Sequence, residues 1–411
     1  MKILVMLGWR NIWRNKRRSL VVISSIAFGI FAMILSMGFM NGMNRQMVEN
    51  TIRTSLGHIA IHRRGFQDSM KLRYNFRPSE KIMRALSAAP EISGYAPRIT
   101  MEGIIRSSET SRPVSVVGID PEKEKSITGV YTYTIRKEGS RFLRGGDINP
   151  VLISTSLGDK LGLMPGDRLV LMFQNKSKEI VGLGMTITGL YRTPVENFDK
   201  YTVFTTLSLL RKETGLGNNI TGITIHLKNS RAVDSVKEAL IHAVGDDSLE
   251  ILSWKDMAPN LVSAVKLFDS MMYIFFGIIF IVVIFSIANT LVMAIMERFH
   301  EIGVMKSIGT RPLWIFSMIM IEAVFLGIVG LTAGLVIGSS VTSLLSATGI
   351  DFSFYMESMR TWGTGSIIYP AVKTMDIVAA VIIVMITTIL AALYPAVKAA
   401  RIRPLEALHF I

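Results

Sequence analysis

Four stretches of this chain carry no charged side chain: residues 20–40, 270–296, 323–350 and 377–397. Each is as long as the roughly 20 apolar residues that an α-helix needs to cross the hydrocarbon of a bilayer. No other property of the sequence narrows the fold so far. A backbone in hydrocarbon must satisfy its own hydrogen bonds, and only helices and closed barrels do so. Hydrophobic residues make up 50% of the chain, a share that soluble proteins reach without such bunching. The first stretch is longer than the ~7–15-residue apolar core of a secretory leader, and no small-residue cleavage site follows it. The expected fold is an α-helical membrane protein with four transmembrane helices and a large α+β extracytoplasmic domain between helices 1 and 2.

Lys and Arg set the orientation, because short cytoplasmic segments carry an excess of them. Residues 1–19 hold six (Lys2, Arg10, Arg14, Lys16, Arg17 and Arg18), the segment 297–311 holds three (Arg298, Lys306 and Arg311) and the tail holds three (Lys398, Arg401 and Arg403). The segment between the last two stretches holds two, Arg360 and Lys373. Both termini and 297–311 are therefore expected in the cytoplasm. The divisions that follow are 1–19 for a cytoplasmic interfacial helix, 20–42 for the first span and 43–265 for the external domain. The second span is 266–296, the charged cytoplasmic helix 297–311 and the third span 312–346. An external loop, 347–375, the fourth span, 376–397, and a cytoplasmic tail, 398–411, complete the plan.

The net charge of +14 suggests nucleic acid, but its placement argues otherwise. The N-terminal cations sit where the cytoplasmic leaflet is anionic, and each contributes about 1 kcal/mol of attraction there. Trp9 and Trp13, one helical turn apart among those cations, suit a helix lying in the membrane interface. With no cysteine in the chain, disulfides, thiolate metal sites and cysteine nucleophiles are excluded.

The insert alternates extended and helical signals. "GHIAIHR" alternates as a strand does, and "SEKIMRALSAA" opens with a capping Ser and continues with helical periodicity. "SRAVDSVKEALIHAV" is amphipathic, and "LEILSW" after it is extended. The pattern suggests two subdomains, with residues near 148–215 the more β-rich. His58 and His62 lie four apart in an alternating stretch, where a solvated strand face explains them better than a metal site. There is no nucleophile elbow, H-E-x-x-H or paired-carboxylate constellation, so no enzyme chemistry, metal or cofactor is assigned.

The segment "ERFHEIGVMKSIGTRP", residues 297–312, packs charge between two uncharged stretches. Glu297, Arg298 and Glu301 have helical spacing for ion pairs, and Ile302, Met305 and Ile308 recur at i, i+3, i+6. Gly309 and Pro312 are stop signals. A connector with surface salt bridges and a short amphipathic helix offered to a soluble partner account for these residues equally well. "MERFHEIGVMKSIGTRP" resembles the coupling segment of the FtsX-like/MacB superfamily of ABC transporter permeases. Arg298, Glu301, Ile302, Gly303, Lys306 and Gly309 match its pattern, with Ser307 where Ala is usual. "YPAVKAARIRPLEAL", with Pro395, Ala399, Pro404 and Glu406, resembles the family's ending, and "GWRNIWRNKRRS" its beginning. More loosely, "TSLGHIAIHRRGF" and "LSWKDMAPNL" resemble the stand-alone lipoprotein-releasing (LolC/LolE-type) branch.

The resemblance implies a permease subunit that pairs with a second permease in a bacterial inner membrane. It also implies a separate ABC ATPase subunit on which the coupling residues dock, and extraction of lipoproteins or other amphipathic substrates toward a periplasmic carrier. A MacB-like mechanotransmitting efflux permease and an FtsX-like regulator of a cell-wall hydrolase are the alternatives. No G-x-x-x-x-G-K-[ST] occurs, so nothing here cradles ATP phosphates. Met33, Met37, Met40, Met43 and Met47 fall within about a third of a helix circumference. Methionine suits promiscuous apolar surfaces, so they are candidates to face an acyl chain, with ordinary helix packing as the competing account. Glu322 inside a span calls for a structural partner in the coupling segment or the tail, with a proton relay as the competing account. Asn289 can bond between helices, and Gly327, Gly330, Gly334 and Gly338 mark close packing.

Overall fold

The computed structural model describes residues 2–14, 16–125, 127–136 and 139–403. Pro404 and Glu406 lie outside the described residues. Helix α1 (Lys2–Arg14) is followed by α2 (Lys16–Thr51), which ends in a π turn, Ile52–Leu56. Then come β1 (Ile59–Arg63), α3 (Glu80–Ala88), β2 (Ile92–Arg106), β3 (Ser111–Ile119), β4 (Pro150–Ser154), β5 (Arg168–Gln174) and β6 (Ile180–Tyr191). They are followed by α4 (Glu196–Tyr201), β7 (Thr202–Thr206), β8 (Gly222–Leu227), α5 (Val233–Val244) and β9 (Leu249–Ser253). The chain continues through α6 (Pro259–Glu297), α7 (Phe299–Ser307), α8 (Pro312–Thr348), β10 (Ile350–Asp351), α9 (Met356–Thr361), β11 (Ile367–Ile368) and α10 (Thr374–Ala400).

Among the described residues four helices, α2, α6, α8 and α10, are long and apolar enough to cross a membrane. All four overrun the expected limits. α2 begins before residue 20 and ends after 42, and α6 begins at Pro259 rather than 266. Counting uncharged residues detects only the part of a helix that lies in hydrocarbon; polar turns at either end are equally helical and escape the criterion.

Two compact units result: residues 1–44, 265–351 and 367–411 form one, and 45–264 with 352–366 form the other. The stretch 347–375 is therefore more than an external loop. Its middle belongs to the second unit, and β10 and β11 pair antiparallel at its ends.

In the first unit Ile26, Ile30 and Ile34 of α2 are buried with Ile287 of α6, Ala323 of α8 and Ala392 of α10. Glycines set the spacing. A Cβ on Gly330 would stand 2.8 Å from the Ile26 Cβ, and one on Gly334 would stand 2.8 Å from the Ala27 carbonyl oxygen, so α2 and α8 meet backbone to backbone. Gly327 faces the side chain of Thr388 of α10, and Gly338 faces that of Ile34. α6 is the least covered span: Phe275, Ile278, Ile281, Val282 and Phe285 all point outward.

The second unit is built on a nine-stranded sheet in the order β3-β7-β4-β6-β5-β2-β8-β1-β9. β2 runs through both halves of that sheet. It is 15 residues long; its first half pairs with β8, and its second half with β3 and β5. One core gathers Ile59, Ile61, Ile223 and Ile225 of the sheet with Val236 and Leu240 of α5. Another gathers Ile99, Ile105, Val116, Leu171 and Ile187. The β-rich half thus also takes in β3 and the end of β2, beyond the 148–215 limits. Ser79 caps α3 by accepting from the Ile82 N–H at 3.3 Å.

Candidate coupling site

The charged segment folds in pieces. Glu297 ends α6, Arg298 leaves helical geometry at φ −110°, and α7 runs for nine residues. Gly309 ends the turn at φ +90°, a left-handed conformation strained for any side chain, and Pro312 opens α8.

A nine-residue helix does not persist in isolation, so its neighbours hold α7. Ile302 is buried with Ile295, Ile315, Ile319, Ala396 and Ala399, and Gly303 is buried beside it. Lys306 Nζ donates to the carbonyls of Ala400 at 2.9 Å and Ile402 at 2.6 Å. These carbonyls end α10, where the last turn lacks helical donors and the dipole favours a cation.

Glu322 lies inside α8, 4% exposed. Its carboxylate accepts from Arg18 Nη2 at 3.3 Å and from Arg298 Nη1 at 3.4 Å. Arg18 also bonds Glu297 at 3.1 Å, and Arg298 also bonds Glu301 at 3.2 Å. Arg14 Nη2 reaches both oxygens of Glu301 at 2.9 Å. The bond from Arg14 holds the Glu301 carboxyl below its ordinary range, overcoming partial burial. Three guanidinium groups and three carboxylates thus alternate, joining α1, α2, the end of α6, α7 and α8. Glu322 finds its partners in the coupling segment and in α2; no bond to the tail occurs among the described residues. Nothing local in the sequence points to Arg14 or Arg18, whose partners lie 279 to 304 positions away.

The motif residues therefore divide. Arg298, Ile302, Gly303 and Lys306 are engaged with the bundle, while Glu301 and Gly309 are exposed. The outward face of α7 carries His300, Val304, Ser307 and Ile308, with Leu313 and Trp314 exposed just beyond the turn. Ile308 is 78% exposed and does not share a face with Ile302. Six residues turn an α-helix by about 600°, which places Ile308 some 240° from Ile302.

Other singled-out residues are scattered. Met33 is 3% and Met47 5% exposed, each buried in the packing of its own unit, while Met37, Met40 and Met43 are half-buried. Asn289 is exposed on α6, with no hydrogen bond among the described residues, so the interhelical bond expected of it is not made within this chain. His58 and His62 do not act together. The His58 ring lies 4.4 Å from that of His226, and His62 bonds the Thr221 carbonyl oxygen at 2.8 Å and stacks on Phe66. Burial lowers the imidazole pKa of both. Among the described residues no three His, Asp or Glu side chains converge as metal ligands would.

The MacB-like periplasmic core domain matches residues 19–243, and the FtsX-like permease C-terminal region matches residues 273–404. The lipoprotein-releasing system transmembrane protein LolC of Neisseria meningitidis is 24% identical over 98% of this chain and 98% of its own length. LolE of Haemophilus influenzae is 18% identical, again over 98% of each. The macrolide export ATP-binding/permease protein MacB of Chlorobium luteolum is 23% identical over 98% of this chain but 59% of its own length. The first matched region takes in α2 and most of the sheet; the second takes in α7 with Arg298, Glu301 and Glu322. The chain belongs to the FtsX-like family of ABC transporter permeases that carry a MacB-like periplasmic core domain.

Proposed function

We propose that this permease couples ATP hydrolysis on a separate ATPase subunit to the extraction of lipoproteins from the outer leaflet of a bacterial inner membrane. The observation that carries the reading is the alignment with LolC over 98% of both chains, against 59% of the ATP-binding/permease relative. The excess of Lys and Arg in residues 1–19, 297–311 and the tail supports cytoplasmic termini and an external domain.

The ATPase docks on the outward face of α7, on Val304 and Ile308 rather than on the motif residues turned into the bundle. Those residues hold α7 to the spans, so a push on the outer face reaches α8 through Glu322 and α10 through Lys306. A second permease covers α6, whose apolar side chains and free Asn289 carboxamide face outward; an amide in hydrocarbon gains from a partner across an interface. The half-buried Met40 and Met43 face the acylated substrate, and the external domain hands it to a periplasmic carrier.

The test uses proteoliposomes holding the permease, its co-purifying ATPase and an acylated protein. ATP should drive release of that protein to a soluble carrier. Val304→Asp with Ile308→Asp should lose the ATPase on co-purification with no change in the thermal midpoint of the chain. Retention of the ATPase by that variant would refute the docking face. Release of a soluble export substrate, with none of the acylated one, would favour the efflux reading that the MacB similarity suggests.

A further inference from the structure

The fifteen residues 352–366 connect the third and fourth spans, yet they belong to the domain unit. They form a strap held to the domain through Arg360, while Phe354, Tyr355 and Trp362 stay exposed. Arg360 is 7% exposed; its Nη2 donates to Asp199 Oδ2 at 2.5 Å and its Nε to the Thr193 carbonyl oxygen at 3.0 Å. Asp199 is fully buried and also accepts from the Thr193 hydroxyl at 2.7 Å and the Thr193 N–H at 3.0 Å. Around this pair Arg192 bonds Glu357, the Thr361 hydroxyl donates to Glu196, and Asn50 of α2 donates its amide to the Gly363 carbonyl at 3.0 Å.

A second buried pair of the same kind stands where α2 hands the chain to the sheet. Arg98 of β2 bonds the fully buried Glu124 and donates to the Ser55 carbonyl oxygen in the π turn at 2.6 Å. At the exit toward α6, Ser253 and Asp256 form a capping box that Lys237 joins at 2.7 Å. Each of these places, where chain passes between membrane helix and domain, is thus held by polar side chains. A buried ion pair is weak evidence for stability, since desolvation offsets much of its attraction; what it supplies is register. Packing alone would let an apolar strap slide, whereas a guanidinium shared between a carboxylate and a carbonyl has one position.

We propose that the 352–366 strap is a tether through which α8 and α10 move the external domain, with Arg360–Asp199 as a fastening that stays closed throughout the transport cycle. Coupling then reaches the domain through a third connection besides α2 and α6, along a contiguous chain of fixed contacts. The proposal rests on the permease reading above only for its transport readout.

Three experiments test it. Arg360 is the sole Lys or Arg in the strap. Trypsin should therefore cleave the purified Asp199→Ala chain there and spare the native one; equal cleavage in both overturns the fastening, whatever the chain transports. The double variant Asp199→Ala/Arg360→Ala leaves no lone buried charge. In proteoliposomes with its ATPase it should hydrolyse ATP and lose release of an acylated protein. Adding Glu196→Cys and Thr361→Cys to that variant, and joining the two thiols with a short bifunctional reagent in a chain with no other cysteine, should restore release. The same cross-link in the otherwise native chain should leave release unchanged. Full release from the double variant, failure of the formed cross-link to rescue it, or arrest of the native chain by the cross-link would each overturn the tether. If the native chain releases no acylated protein at all, the transport reading fails and the trypsin comparison still decides the fastening.

Discussion

Replacing Glu322 by Ala removes the carboxylate that faces Arg18 and Arg298 and leaves both guanidinium groups in place. The Arg18 and Arg298 side chains are 12% and 15% exposed, so each is left largely out of water with only its outer partner, Glu297 or Glu301. Breaking a buried pair from one side costs about 3–5 kcal/mol. Because the outer carboxylates remain and the lost bonds are long, the lower end applies, about 3 kcal/mol. Glu301 is the informative control. It also accepts from two guanidinium groups, and at shorter distances, 2.9 and 3.2 Å, yet it and Arg14 are about half exposed. Exposed pairs contribute roughly 0–1 kcal/mol. Thermal unfolding of the detergent-purified chain at one fixed scan rate compares the two, at roughly 2–4 °C per kcal/mol for units of 150–250 residues. Glu322→Ala should lower the midpoint by about 6–12 °C, and Glu301→Ala by less than about 4 °C. A triple replacement, Arg18→Met/Glu322→Leu/Arg298→Leu, should recover most of the loss, since apolar groups of similar volume commonly equal a buried ion cluster. An equal or larger loss from Glu301→Ala would refute the argument that burial, and not bond length, sets the size of these interactions.

Three further outcomes follow from the geometry. Burial, with the neighbouring His58, holds the His226 imidazole down at about 4, below the ~6.5 of an unfolded chain. The unfolded state binds more protons between those values, so His226 contributes a loss of stability as pH falls from about 6.5 to about 4; unfolding midpoints should fall less steeply across that range in His226→Gln, with His58 and His62 still contributing. A methyl group on Gly42 would overlap the carbonyl oxygen of Tyr369, which is backbone and cannot rotate away, whereas Gly277 has nothing within 4 Å. Gly42→Ala should therefore lower the yield of monodisperse protein on size exclusion and Gly277→Ala should not. Lys306→Met removes two bonds to the end of α10, about 1–3 kcal/mol; the ATPase should still co-purify, while substrate-stimulated hydrolysis falls.

The spans were legible because hydrocarbon forbids charge, so residues 270–296 and 377–397 announce themselves by what they lack. Local chemistry was equally open: Ser79 reads as a cap and is one, and Gly330 and Gly334 read as close packing and set the approach of α2 to α8. The motif at 298–309 was legible as a segment, but the side each residue faces was not. Arg298 and Lys306 look like exposed charges beside Glu301, and only their distant partners, Glu322 and the end of α10, turn them inward. The same holds for Arg360. The sole Lys or Arg of its stretch, it carries no local mark of the buried Asp199 that it meets 161 positions away. That one strand, β2, serves both halves of the sheet is not legible locally, because its pairings with β5 and β8 join residues far apart in sequence.

The strap also orders the birth of the protein. Asp199 is translated 161 residues before Arg360, and at ~5–20 residues per second that interval is about 8–32 s. Through it Asp199 is without the cation that it meets in the finished chain, although the whole nine-stranded sheet is already complete at Ser253. Arg360 arrives only after α8 has been synthesised and threaded back outward. The last fastening of the domain thus waits on the synthesis of α8, and a chain interrupted before residue 360 lacks the Arg360–Asp199 pair.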